Sequence, residues 1–289
     1  MTGMIKEEIL TTVRKKRFII LTALLFAGAI VVTVKTKNYH WNDMTYYLKM
    51  QQFIDSVFDA AIGPIVLFSI WRRKYTRTSI LQAEAKGVKR GTAVISRALA
   101  GSIILICCYA LMALFAIVLG FVFSAGLSSS QMTELVIKTG VDCIAAVASF
   151  CGCLFWLYLF AFPLVPMVLD FLIMVVVADT FASLTQSPQT VYFVYMSVFP
   201  KCAMDVFYTS IIFGRPQYQC VLFCLVNAVV TLLLTILVFK LKKKDKKKKA
   251  KKGKGEIKEA ADAVSAAVSS DPEIAQILKE SELTEEIIE

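Results

Sequence analysis

The sequence predicts an all-α integral membrane protein with six transmembrane helices and cytosolic N- and C-termini, and three observations carry that prediction. Hydrophobic residues make up 57% of the 289 and charged residues only 19%, against about 45–50% and about 25% in an ordinary soluble domain. The excess is gathered into charge-free runs at Phe18–Val34, Ala98–Phe123, Cys143–Leu169 and Pro216–Phe239. A helix needs about 20 apolar residues to cross a bilayer core of roughly 30 Å. Lysine and arginine are also unevenly placed: five before Phe18, eight in Arg72–Arg97 and thirteen after Phe239, but three in Lys35–Gln52 and one in Ser124–Gly140. Basic segments are retained on the cytosolic side, so the first three regions are inside and the last two outside.

Each span follows from that frame. Span one is Phe18–Val34, span two Phe53–Trp71, span three Ala98–Phe123, and the last about Tyr218–Phe239. The chain is outside after span three and must enter the last span from outside, so Val141–Pro200 crosses an even number of times. Two crossings fit its length. Their inner turn is placed near Phe162–Pro166, where Pro163 and Pro166 disrupt helical hydrogen bonding; the rival places it at Asp170. The segment Ser187–Arg215 is too apolar for a wet loop. Backbone at membrane depth must be helical or shielded, which two short re-entrant helices broken near Pro200, or one interfacial amphipathic helix, would satisfy.

Intrinsic catalysis is not expected. The single histidine, His40, has no nucleophile paired with it, and the GxSxG, HExxH and Walker A patterns are absent. No cofactor or metal is expected on this chain: the cysteines lack metal-ligand spacing, and most sit in apolar runs as small hydrophobes. Cys202 and Cys220 are the pair that could meet an oxidising exterior, though a disulfide between them is not the preferred reading. Acids within spans are costly and usually face a bundle interior. Asp55 and Asp59, four apart, share a helical face. With Asp142 they read best as outer-interface residues rather than a polar path, whereas Asp170 and Asp179 remain candidates for a substrate path.

The loop between spans two and three is the most informative segment. A short helix over Ser79–Lys86 with Gly87 as its stop signal fits the pattern, followed by Lys89 and Arg90. The N-terminal segment Met4–Lys16 places Ile5, Ile9 and Val13 on one face. Together with the six spans, the turn Gly87-Val88-Lys89-Arg90 and the closing Phe239-Lys240-Leu241-Lys242-Lys243-Lys244-Asp245, these features resemble the type-two ATP-binding-cassette permease family over residues 1 to about 245. That resemblance implies a bacterial exporter subunit in the cell membrane. It would pair with a second permease and dock separate ATPase subunits, which would hold the ATP and magnesium. Leu81, Gln82, Glu84, Gly87, Lys89 and Arg90 would form the ATPase-coupling loop, and Ser187–Arg215 the outer gate. The implied cargo is hydrophobic or amphipathic: peptide, lipid or drug.

Three regions follow: an amphipathic interfacial helix at 1–17, a six-span domain at 18–240 and a cytosolic tail at 241–289. Eleven lysines in Lys240–Lys254 give way to ten carboxylates from Gly255 on. Lys242, Lys243, Lys244, Lys246 and Lys247 would anchor to anionic lipid headgroups; nucleic acid is not expected as a partner. The rival function is a non-transporting immunity or scaffold protein acting through this tail.

Overall fold

The computed structural model describes residues 2–37, 43–70, 87, 90–123, 127–160, 164–172 and 199–238, all within the compact unit Met1–Phe239. Among them every regular element is helical: α1 (Thr2–Val13), α2 (Lys16–Lys37), α3 (Asp43–Phe53), a π segment (Ile54–Phe58), α4 (Asp59–Ile70), α5 (Arg90–Val122), α6 (Ser129–Phe160), α7 (Leu164–Phe171), α8 (Pro200–Ile212) and α9 (Tyr218–Val238). Five helices are long and apolar enough to cross a membrane: α2, the continuous stretch Thr45–Ile70, α5, α6 and α9. The chain is thus a multi-pass membrane protein.

These helices tolerate several polar residues because their hydroxyls find a carbonyl one turn back. Thr33 donates to the Ala29 carbonyl at 2.7 Å, Ser102 to Ala98 at 2.9 Å, Thr139 to Leu135 at 2.7 Å and Thr235 to Thr231 at 2.7 Å. In hydrocarbon, where an unsatisfied polar group is costly, such back-bonding removes the penalty. Small residues then set how closely helices approach. A Cβ on Gly101 would lie 2.1 Å from the Phe150 ring, so α5 and α6 meet at a glycine. Gly28 likewise gives way to Phe53, and Gly63 to the Asp170 carboxyl group. Between them lies an aromatic core, with Phe26 edge-on to Phe58 and Phe115, and Phe58 edge-on to Tyr109. The outward faces of α2 and α9 stay exposed and apolar, as Leu24, Val31, Leu225, Val229 and Leu233 illustrate.

The expected first, third and last spans coincide with the cores of α2, α5 and α9. Two expected outer loops are largely helix instead. Within Ser124–Gly140, α6 has begun by Ser129, and within Lys35–Gln52, α3 has begun by Asp43. Charge misplaced the α6 boundary, because Lys138 is buried rather than wet. Of the expected inner turn, Phe162 and Pro163 lie outside the described residues, Pro166 lies within α7, and Asp170 lies inside a helix rather than at a turn. Pro200 opens α8 as its first residue, where a missing N–H costs nothing. Cys202 and Cys220 are both buried and do not form a disulfide. On α1 the inward face is Glu8, Ile9 and Thr12, while Val13 is exposed.

Gly101→Ala is expected to destabilise the protein by about 1–3 kcal/mol through overpacking. Gly140→Ala, with nothing within 4 Å of its Cβ position, should be neutral or stabilising by up to about 1 kcal/mol. Thermal unfolding of both variants in one detergent checks the contrast.

Candidate functional site

Three pairs of residues spaced four apart on three helical stretches converge in the interior. Asp55 and Asp59 come from the π segment and α4, Lys138 and Asp142 from α6, and Lys201 and Asp205 from α8. Four residues is about one helical turn, so each pair lies on a single face. Lys201 Nζ lies 2.6 Å from Asp142 Oδ1 and 2.8 Å from Asp59 Oδ2 and donates to both. Asp205 and Asp55 follow at 3.6 and 3.7 Å. Lys138 Nζ donates to Asp142 Oδ1 at 2.8 Å and Asp205 Oδ1 at 3.1 Å, and pairs with Asp55 at 3.0 Å.

The cluster is dry at its centre. The Asp59 and Asp142 side chains are fully buried, and Lys201 shows only 4% of its side chain; Asp55 and Asp205 form a partly open rim. A buried charge is tolerated only when paired and hydrogen-bonded, and the surroundings supply that. Tyr109 donates to Asp59 Oδ1 at 2.8 Å. Tyr208 donates to Glu134 at 3.1 Å, and the Lys138 ammonium stands 5.1 Å over the Tyr208 ring. Burial alone would push the Lys201 ammonium down, yet Asp59, Asp142, Asp205 and Asp55 hold it well above the ordinary lysine range. Oxygens of Asp55, Asp59 and Asp142 lie within 4.8 Å of one another, close enough to share a cation. The Lys201 ammonium already touches two of them.

This corrects the sequence reading of Asp55, Asp59 and Asp142 as interface residues, since Asp59 and Asp142 are core. The missing signal was the opposite-charge spacing of Lys138 with Asp142 and of Lys201 with Asp205. Asp170 is also buried, 2.5 Å from the Ser149 hydroxyl that donates to it and 3.4 Å from Cys153 Sγ. It does not join the cluster. Asp179 lies outside the described residues, as do Leu81, Gln82, Glu84, Lys89 and the tail lysines Lys242, Lys243, Lys244, Lys246 and Lys247. The Arg90 backbone opens α5. Gly87 occupies an exposed turn with φ of 77°, a left-handed conformation that suits its expected role as a stop signal.

A second set of contacts joins the ends of the chain segment that carries the basic loop. Lys15, between α1 and α2, donates to the Ser69 carbonyl at the end of α4, and Arg17 stands 5.8 Å over the Phe68 ring. At the start of α5, Arg97 donates to Glu8 of α1 at 3.2 Å and to the Tyr158 hydroxyl at 3.0 Å. The helices entering and leaving the loop are therefore both tied to the N-terminal helix.

No family model, curated protein or solved structure matches this chain.

Lys201→Met leaves the buried Asp59 carboxylate without an ammonium partner and Asp142 with Lys138 alone, and is expected to cost about 3–5 kcal/mol. Asp205→Asn, on the half-open rim, should cost less than about 1 kcal/mol. Thermal unfolding at fixed salt separates the two, and adding Asp142→Asn to Lys201→Met should recover part of the loss.

Proposed function

We propose that this chain is the membrane-spanning permease subunit of an ATP-driven exporter of the ATP-binding-cassette type. It works as a dimer with separate ATPase subunits and moves hydrophobic or amphipathic cargo across the cell membrane. Both termini lie in the cytosol, and the chain crosses the membrane six times. The observation that carries the reading is the tying of both stems of the basic loop to α1. A loop that receives force from an ATPase must pass it to helices that move together. Lys15, just after α1, on the Ser69 carbonyl of the entering stem, and the Glu8–Arg97 pair on the leaving stem, make the N-terminal segment, the end of α4 and the start of α5 one mechanical unit. Rigid elements of this kind carry coupling between distant sites.

At the other end, α8 sits as a cap whose Lys201 and Asp205 are held by α4, α6 and the π segment. That arrangement suits an outer gate, because the same ion pairs that close it have two partners to exchange between. The lack of any nucleotide-binding motif in the sequence fits energy supplied by another chain.

The reading is tested with the protein and its co-purifying ATPase in proteoliposomes. Gly87→Val places a β-branched residue at positive φ, which only glycine adopts freely. It should lower cargo-stimulated ATP turnover roughly 5- to 150-fold, the usual span of a coupling free energy, while the unstimulated ATPase keeps its rate. Unchanged stimulation in both Gly87→Val and Arg90→Gln would remove the coupling assignment.

A further inference from the structure

A groove of about 470 Å³ opens on the outside of the bundle where the Lys37 end of α2 meets α3 and the π segment. Ligand sites typically measure about 300–1,000 Å³. Its wall is mostly apolar, with Val32, Phe53 and Val57 along it, and its mouth carries Lys35 and Lys49. We propose that this groove is a binding site for one anionic membrane amphiphile, such as a phosphatidylglycerol. The headgroup is held between Lys35 and Lys49, and an acyl chain lies along Val32, Phe53 and Val57.

The argument rests on charge left over. The interior cluster draws in Asp55, Asp59, Asp142 and Asp205, and Lys37 turns instead onto the Phe123 ring at 5.5 Å. Lys35 and Lys49 are exposed, and among the described residues neither pairs with a carboxylate. Lys49 donates only to the neutral Gln52 carbonyl at 3.3 Å. Two ammonium groups at the mouth of an apolar groove call for an anion that also brings hydrocarbon, which excludes a free inorganic anion as the best fit. Helix end and groove lie together at the level where α2 leaves the apolar layer, the depth of lipid headgroups.

The backbone supplies a second, independent observation. Val57 reaches the groove from the π segment, whose wide turn sends Asp55 and Asp59 inward and leaves Ser56 and Val57 exposed. Such π turns inside α-helices recur at functional sites. Gly28 completes the shape: Phe53 packs at 3.1 Å from its Cβ position, which seats the ring deep enough to form the floor.

The site requires only that the chain spans a membrane, so its test needs no ATPase. The full chain in phosphatidylcholine nanodiscs is doped with phosphatidylglycerol carrying an acyl-chain diazirine, irradiated, digested and mapped by mass spectrometry. Labelling is expected on peptides containing Val32, Phe53 or Val57. Unlabelled phosphatidylglycerol should compete it away and phosphatidylcholine should not. Lys35→Gln with Lys49→Gln should lower it roughly thirtyfold, at about 1 kcal/mol per lysine near the surface, while labelling near the tail lysines stays constant. Val57→Trp should block it without touching charge. Equal competition by both lipids, or labelling indifferent to the lysine pair, would mean annular lipid contact only and would overturn the site. The wild-type competition decides the question even if a variant fails to fold.

Discussion

The Lys201 ammonium is the point on which the arrangement of the far half of the bundle depends. An amphipathic helix such as α8 has no hydrophobic reason to press against α6 rather than lie in lipid, since hydrocarbon offers it the same apolar contact. What fixes it is electrostatic: a cation placed 2.6 and 2.8 Å from two fully buried carboxylates. Neither partner can leave without exposing the other to a low-dielectric medium. The cluster therefore works as positional specificity more than as net stability, because replacing a buried pair by apolar groups is often neutral. Three stretches of helix, distant in sequence, are held in one register by it.

The opposite end is organised by a different economy. There the N-terminal segment uses single contacts: Glu8 of α1 to Arg97, Ile9 of α1 into the core, and Lys15, just after α1, to the Ser69 carbonyl. These contacts tie the N-terminal segment to the end of α4 and the start of α5, whereas the interior cluster joins α4, α6 and α8.

Much of this was legible in the sequence. The cores of α2, α5 and α9 follow from charge-free runs, and the shared face of Asp55 and Asp59 follows from their spacing. What was misread traces to one assumption, that a charge marks contact with water. Lys138 and Lys201 look like loop residues in a linear reading. Their neighbours at four residues' distance, Asp142 and Asp205, carry the information that each lysine arrives partly compensated, yet the third and fourth carboxylates come from another helix. Long-range pairing of that kind leaves no local mark. The groove between α2 and α3 was equally invisible, since Lys35 and Lys49 read as ordinary interfacial cations.

The π segment at Ile54–Phe58 has a consequence for how this chain can change over time. One residue more than an α-turn needs is accommodated there, which offsets the phase of α3 from that of α4 by about one residue's rotation, roughly 100°. The two halves of a continuous crossing are thus angularly uncoupled: substitutions that retune the lipid-facing groove need not be matched by changes around Asp59. Removing a single residue from this turn would restore a uniform α-helix and rotate one half against the other. A one-residue deletion there would therefore act as a rearrangement of two surfaces at once, while a deletion in a loop would shorten only a connection.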